Sequence, residues 1–207
     1  MVIIINDLGL SFPKLDSLWG KSKIQQVQFL DEATMIAKLQ KTVFQQLNLK
    51  QESALFIYPG ESAQRVKSLG FNGHFPSQEI FAKRIWNPGS EPVVLVHSMD
   101  WSINPEIENV VVVDDVISSG ATVTLVRERN SWKFPRATWY AAVPVTRKEK
   151  IPNYKKIFSC EVVRDIAGKK VPINSLSTLI ENPEIRQDYF ARNFEKGFEE
   201  KFIEATG

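Results

Sequence analysis

The residues best equipped for chemistry stand together between Val110 and Thr122, in the stretch VVVVDDVISSGAT. Val110 to Val113 make an apolar run of the kind that fills a strand covered on both faces. Asp114 and Asp115 end that run. Ser118, Ser119, Gly120, Ala121 and Thr122 follow, and Val123 to Arg129 continue as a helix. Strand, small-residue turn and helix in that order offer backbone N–H groups to an anion, phosphate above all. The serine and threonine hydroxyls add donors, and Gly120 lets the backbone come close. Two carboxylates beside a phosphate repel it unless they hold sugar hydroxyls or a divalent ion. The bland alternative is a buried strand that ends in a solvated acidic turn.

The stretch resembles the signature of the type I phosphoribosyltransferases: an apolar strand, two acids, two further residues, then a Thr/Ser-rich turn containing Gly. The resemblance implies 5-phosphoribosyl 1-diphosphate as the ligand, used with magnesium. It implies that Asp114 and Asp115 meet the ribose 2- and 3-hydroxyls and the metal ion. Ser118 to Thr122 would wrap the 5-phosphate. The reaction implied is transfer of a pentosyl group to a nitrogenous acceptor, a nucleobase being the expected one, with release of diphosphate. The other function carried by the same motif is regulatory, because some relatives bind nucleotides without turnover. A phosphoribosyl-diphosphate or nucleoside-monophosphate sensor is therefore the alternative.

Other candidate residues take their meaning from their order relative to this motif. Ala54 to Tyr58 form a compact apolar strand ending at Pro59, Gly60, Glu61 and Ser62, with a helix expected through Val66 and Leu69. In the resembled family the loop after the first core strand meets the diphosphate, which here is Pro59 to Arg65. Gly60 permits close approach, Ser62 donates, and Arg65 neutralises charge. A plain strand-to-helix turn reads equally well from the residues alone. Lys83 and Arg84 lie between Ile80 and Ile85 and match basic residues that family members carry after the second core strand. They join Arg65 as catalytic candidates, against the alternative of a solvated basic pair.

Two features depart from the family pattern. Pro92 to Ser98 read as the next strand, so the long mobile loop expected between the second and third core strands shrinks to Trp86–Glu91. Ser118 occupies the position where the hypoxanthine and guanine branch carries a further aspartate. Serine is a poor proton acceptor near neutral pH, which speaks against that branch. The acceptor stays open, and Asp165 is only a late candidate for reading it.

The elements that must position these residues fit a chain of 207 residues with 43% hydrophobic and 24% charged content, an ordinary globular balance. The expected architecture is one α/β domain with a mostly parallel central sheet flanked by helices and a small hood. It spans residues 1–207, with the core at about 24–165 and terminal additions at 1–23 and 166–207. Val2 to Ile5 and Ile24 to Phe29 read as strands, and Asp31 as the cap of an amphipathic helix through Leu47. Ala137 to Val145 and Ile157 to Val163 read as further strands. Asn182 and Pro183 open a C-terminal helix whose stripe of Tyr189, Phe190, Phe194 and Phe198, extended by Phe202, suits docking on the domain or on a second subunit. A homodimer is expected.

Bulk properties exclude several classes. A formal net charge of +2 gives no case for nucleic acid or a membrane surface. The single cysteine, Cys160, bars an intrachain disulfide, and a reducing cytoplasmic setting is expected. The IIIND run near the start lacks the basic head and length of a secretion signal. His74 and His97 are too far apart to form a metal motif.

Overall fold

A computed structural model of the chain describes residues 1–8, 13–21, 27–71, 74–85, 93–98, 100 and 102–207. The first half carries β1 (Val2–Asn6), α1 (Pro13–Lys21), β2 (Val27–Asp31), α2 (Glu32–Leu47), β3 (Ala54–Pro59), α3 (Gly60–Ser68), β4 (Ser77–Ile80), β5 (Ala82–Ile85) and β6 (Val93–Val96). The second carries β7 (Asn109–Val113), β8 (Val116–Ile117), α4 (Ala121–Asn130), β9 (Thr138–Thr146), β10 (Lys156–Val162), β11 (Ile173–Ser175), α5 (Leu176–Glu181), α6 (Pro183–Asn193) and α7 (Phe198–Thr206). Tertiary contacts divide the chain into two units, Met35–Val163 and Met1–Thr34 with Arg164–Gly207. Among the described residues no helix is long and apolar enough to cross a membrane.

The unit Met35–Val163 is organised on a parallel sheet in the order β10-β9-β7-β3-β4, with β8 pairing β9. Alternate residues of each strand enter opposite layers, as the pleat demands. Leu55, Ile57, Val110, Val112, Ala141 and Val143 pack with Val123 and Val126 of α4 on one face. Phe56, Tyr58, Val111, Val113, Tyr140 and Ala142 pack with Ile36, Leu39 and Val43 of α2 and Ala63 and Val66 of α3 on the other. Covering on both faces explains why β3 and β7 read as continuous apolar runs instead of alternating ones. The expected mostly parallel α/β sheet is therefore the observed one.

Strand order also locates a crevice. From β3 the chain steps outward to β4, then returns to lay β7 on the other side of β3, and continues away through β9 and β10. The connections after β3 and β7 thus leave in opposite directions. In open α/β sheets such a reversal opens a cleft at the carboxyl ends of the two strands.

One expectation about this sheet is corrected. The core strand expected at Pro92 to Ser98 is not one over its described residues, 93–98, and Pro92 lies outside them. β6 pairs antiparallel with β5 in a separate two-stranded ribbon, Ala82 facing Val96 and Ile85 facing Val93. Val93 and Leu95 are exposed and only Val96 is buried, a one-sided pattern that a doubly covered sheet excludes. The inner face of the ribbon, with Ala82, Val94 and Val96, joins the core layer that contains α4. The connection from β4 to β7 consequently runs over residues 81–108. The short loop expected at Trp86–Glu91 lies outside the described residues.

The unit formed by Met1–Thr34 and Arg164–Gly207 has its own parallel sheet, β11-β1-β2. The strand expected at 24–29 is β2, beginning at Val27, with residues 22–26 outside the described set. Asp31 caps α2 as expected, its carboxylate accepting from Thr34 N at 2.8 Å. Asn182 caps α6 by accepting from Ile185 N at 3.1 Å. The expected single C-terminal helix is two, because Phe194 is extended after α6 and Gly197 takes φ 83° before α7. The aromatic stripe packs within this unit. Trp19 stacks on Phe198 at 5.7 Å, and Phe198 on Phe194 at 4.4 Å.

Phe198 is 1% exposed at the centre of this cluster. Phe198→Ala is expected to lower stability by about 3–5 kcal/mol, the usual cost of emptying a packed aromatic site. Urea unfolding of the variant beside the wild type checks this, and a loss below about 1 kcal/mol contradicts the packing described.

Candidate functional site

The acids sit where the sheet is interrupted. β7 pairs β9 up to Val113 opposite Ala142, and β8 resumes with Val116 opposite Val145, so the register is continuous across the gap. Asp114 and Asp115 are therefore level with Val143 and Pro144. Proline has no N–H to give to a ladder, and in the middle of a sheet it marks a break. The β9–β10 ladder skips the same position, passing from Val143–Ser159 to Val145–Glu161. The carbonyl of Ala142 still accepts from Asp114 N at 3.2 Å. Beyond that point the two carboxylates are released from the strand.

Asp114 is 7% exposed, which rules out the solvated acidic turn considered above. Its Oδ1 accepts from Asp115 N at 3.0 Å and from Ser62 Oγ at 3.4 Å. Asp115 Oδ1 accepts from Val116 N at 2.7 Å, which tucks the second acid against its own backbone. Asp115 Oδ2 lies 3.8 Å from Arg65 Nη2. Burial, and after it the negative charge of Asp115, holds the Asp114 carboxyl well above the usual carboxylate range.

The turn that follows opens directly into a helix. Ser118 and Ser119 are exposed, and Gly120 adopts φ 87°, ψ 1° as the residue before α4. An L side chain resists that conformation. Ser119 Oγ accepts from Ala121 N at 3.3 Å, and Thr124 N closes the first helical turn on Gly120 O at 3.0 Å. The opening N–H groups of an α-helix have no acceptor within the helix and carry its positive dipole end. A small cleft is lined by Asp114 together with Ser118, Gly120, Ala121 and Thr122. One buried acid and four of the five turn residues thus share one cavity.

The corner between β3 and α3 reaches the same place. Gly60 opens α3 at φ 77°, and a β-carbon on it would lie 2.7 Å from Ala82 O, so the ribbon passes directly over this glycine. The expected loop from Pro59 to Arg65 is mostly helix, with Ser62 and Arg65 on α3. Both turn toward the acids through the contacts just given, whereas Glu61 is exposed in the first turn of α3. Lys83 and Arg84 are carried by β5 in the ribbon, opposite Leu95 and Val94. Lys83 is exposed on the outer face. Asp165 belongs to the unit that contains Arg164–Gly207.

Sequence reasoning overlooked the connection from β9 to β10. It reads as a basic surface loop, yet Arg147 N donates to Ile117 O at 2.8 Å, Ile151 covers Gly120, and the Tyr154 hydroxyl donates to Val123 O at 2.6 Å. Among the described residues no group of three or more His, Cys, Asp or Glu is placed to hold a metal ion. The acid pair alone supplies two carboxylates.

No family model matches the sequence, and no curated protein matches it. Solved structures do. A purine phosphoribosyltransferase from Pyrococcus horikoshii is 17% identical over 84% of this chain and 93% of its own, with a TM-score of 0.46. A hypothetical protein from Neisseria gonorrhoeae with bound ppGpp is 18% identical over 77% and 92%, also at 0.46. The xanthine-guanine-hypoxanthine phosphoribosyltransferase of Helicobacter pylori is 14% identical over 74% and 92%, at 0.45. At such distances the site has to be understood from its own geometry.

That geometry makes Asp114 costly to the free protein. A carboxyl whose pKa is raised on folding contributes its stability below the unfolded value, near 4, and loses it as pH rises through the folded value. Asp114→Asn is therefore expected to raise the thermal midpoint near neutral pH, without divalent ions or ligand. The gain should shrink on acidification toward about pH 4. A melting series over pH that shows no gain, or a gain growing toward acid, contradicts the buried acid.

Proposed function

We propose that this chain binds 5-phosphoribosyl 1-diphosphate with magnesium and transfers its phosphoribosyl group to a nitrogenous acceptor, releasing diphosphate. The observation that carries the reading is the cleft shared by Asp114 and the Ser118–Thr122 turn, at the end of the strand beside the reversal in strand order. A buried acid and an anion-binding turn lining one cleft suit a ligand with hydroxyls at one end and a phosphate at the other.

On this reading the turn holds the 5-phosphate through helix-opening N–H groups and hydroxyls. Asp114 and Asp115 accept from the ribose hydroxyls. The donor set fits magnesium, which takes one or two carboxylates and completes its shell with ligand oxygens and water. Asp114 and Asp115 would hold it, and its charge offsets that of the diphosphate. Ser62 and Arg65 flank the position for the diphosphate. As the C1–oxygen bond to diphosphate breaks and the bond from the acceptor nitrogen to C1 forms, Arg65 stabilises the charge that gathers on the leaving group. Lys83 and Arg84, on a ribbon anchored over Gly60, are the further candidates for that task. The ribbon is also the candidate for excluding water from the reacting centre, the role the resembled family gives to its mobile loop.

One observation favours the regulatory alternative. Arg65 faces Asp115 at 3.8 Å, so the proposed clamp for the leaving group already leans on the ribose-binding acid. A protein that only senses nucleotide has no need to separate them.

Two measurements test these readings. Gly120→Val places a branched side chain at φ 87° against Ile151, and it is expected to abolish binding of phosphoribosyl diphosphate while the fold persists. Calorimetry that finds unchanged affinity in the folded variant sinks the phosphate site. Diphosphate release is then followed with magnesium and a panel of purines, pyrimidines and small amines. For the enzyme, Arg65→Ala should lower turnover by roughly a hundredfold and nucleotide affinity much less. Binding without release on any acceptor selects the sensor.

A further inference from the structure

The connection from β9 to β10, residues 147–155, places two contacts on the start of α4. A β-carbon on Gly120 would meet Ile151 Cδ1 at 3.4 Å and Cγ1 at 3.5 Å, so Ile151 borders the glycine at van der Waals distance. Ile151 is itself 5% exposed. Three residues on, the Tyr154 hydroxyl donates to Val123 O at 2.6 Å, in the first turn of α4. Burial pushes the Tyr154 phenol above its ordinary range, which keeps it a donor at any working pH. Its ring stands edge-on to Trp139 at 6.3 Å and 80°, so a buried indole aims the hydroxyl.

The connection is tied down at each end. Arg147 N donates to Ile117 O at 2.8 Å, and Lys155 N donates to Trp139 O at 2.8 Å. Thr146 Oγ1 accepts from Lys148 N at 3.0 Å and donates to Lys148 O at 2.8 Å, closing the first bend. Ser118 and Ser119 are exposed, while Gly120 is buried in contact with Ile151. The fixed side of the turn is the one that faces this connection.

We infer that residues 147–155 are a brace that sets the shape of the phosphate turn, with Ile151 and Tyr154 as positioning residues that never touch the ligand. The inference rests on the reading of Ser118–Thr122 as the 5-phosphate site and adds what controls it. A cradle of backbone N–H groups recognises phosphate by their spacing, so a displaced turn holds it less tightly. Ile151, itself buried, packs against Gly120 and holds that point of the turn. Tyr154 fixes the helix end whose N–H groups complete the cradle.

The test uses the full chain and two ligands, phosphoribosyl diphosphate and inorganic diphosphate, each with magnesium. Only the first has a 5-phosphate. Ile151→Ala should weaken phosphoribosyl diphosphate at least tenfold and leave diphosphate within twofold, and Ile151→Val should restore most of the loss. Tyr154→Phe keeps the ring and removes only the hydroxyl. It should weaken phosphoribosyl diphosphate threefold or more and shift the Ser118–Thr122 amide resonances in the free protein. Variants that remain folded by circular dichroism and bind phosphoribosyl diphosphate as the wild type does overturn the brace alone. Equal losses for both ligands also overturn it, since they report general damage. A wild-type chain that does not bind phosphoribosyl diphosphate overturns the phosphate site and the brace together.

Discussion

A sheet covered on both faces has no room for a charged side chain unless its ladder is broken, and this protein breaks the ladder at one position. Pro144, inside a nine-residue strand that is almost wholly buried, is level with Asp115 of the neighbouring strand and lacks an N–H to pair there. The sheet resumes three residues beyond Val113 in the same register. The break costs little pairing and frees two carboxylates at a fixed depth. Everything else assigned to the site is arranged around that gap. The β3–α3 corner brings Ser62 and Arg65 to it, α4 begins beside it, and the β9–β10 connection closes over the turn.

Much of this was legible in the residues because burial and turn chemistry leave strong local marks. Val110–Val113 and Ala54–Tyr58 are apolar without alternation, as strands covered on both sides must be, and both lie in the central sheet. Asp31 and Asn182 each precede a helix by one residue and each accepts from the backbone three residues on. The same rule misled at 92–98. An apolar run in a half-exposed ribbon looks like an apolar run in a buried strand, and only the partner tells them apart. β11 escaped notice because its three residues, INS, include two polar ones and owe their conformation to β1. The contacts of Ile151 and Tyr154 were invisible for a different reason. They join positions 31 residues apart through shape and a single hydroxyl, with no periodicity to announce them.

The site also illustrates why stability and function pull against each other. The protein buries Asp114 beside a second acid, an arrangement that the free chain would be better without. Its hydrogen bonds to Ser62 and to the backbone of Asp115 reduce the penalty without removing it. A positive ion or a set of sugar hydroxyls gives that carboxylate what the protein withholds. A buried acid of this sort, set in the sheet beside a cleft, is what the proposed binding site rests on.

The ribbon of β5 and β6 has a consequence for the handling of the protein. Its inner face is anchored in the core, but Phe81, Ile85, Val93 and Leu95 remain exposed on a two-stranded element. Short ribbons with apolar faces and open edges are where chains first adhere to one another as concentration rises. Salts that strengthen apolar burial, sulfate among them, favour that adhesion. Replacing Val93, half exposed and on the outer face, by lysine is expected to oppose that adhesion and spares the inner face of the ribbon.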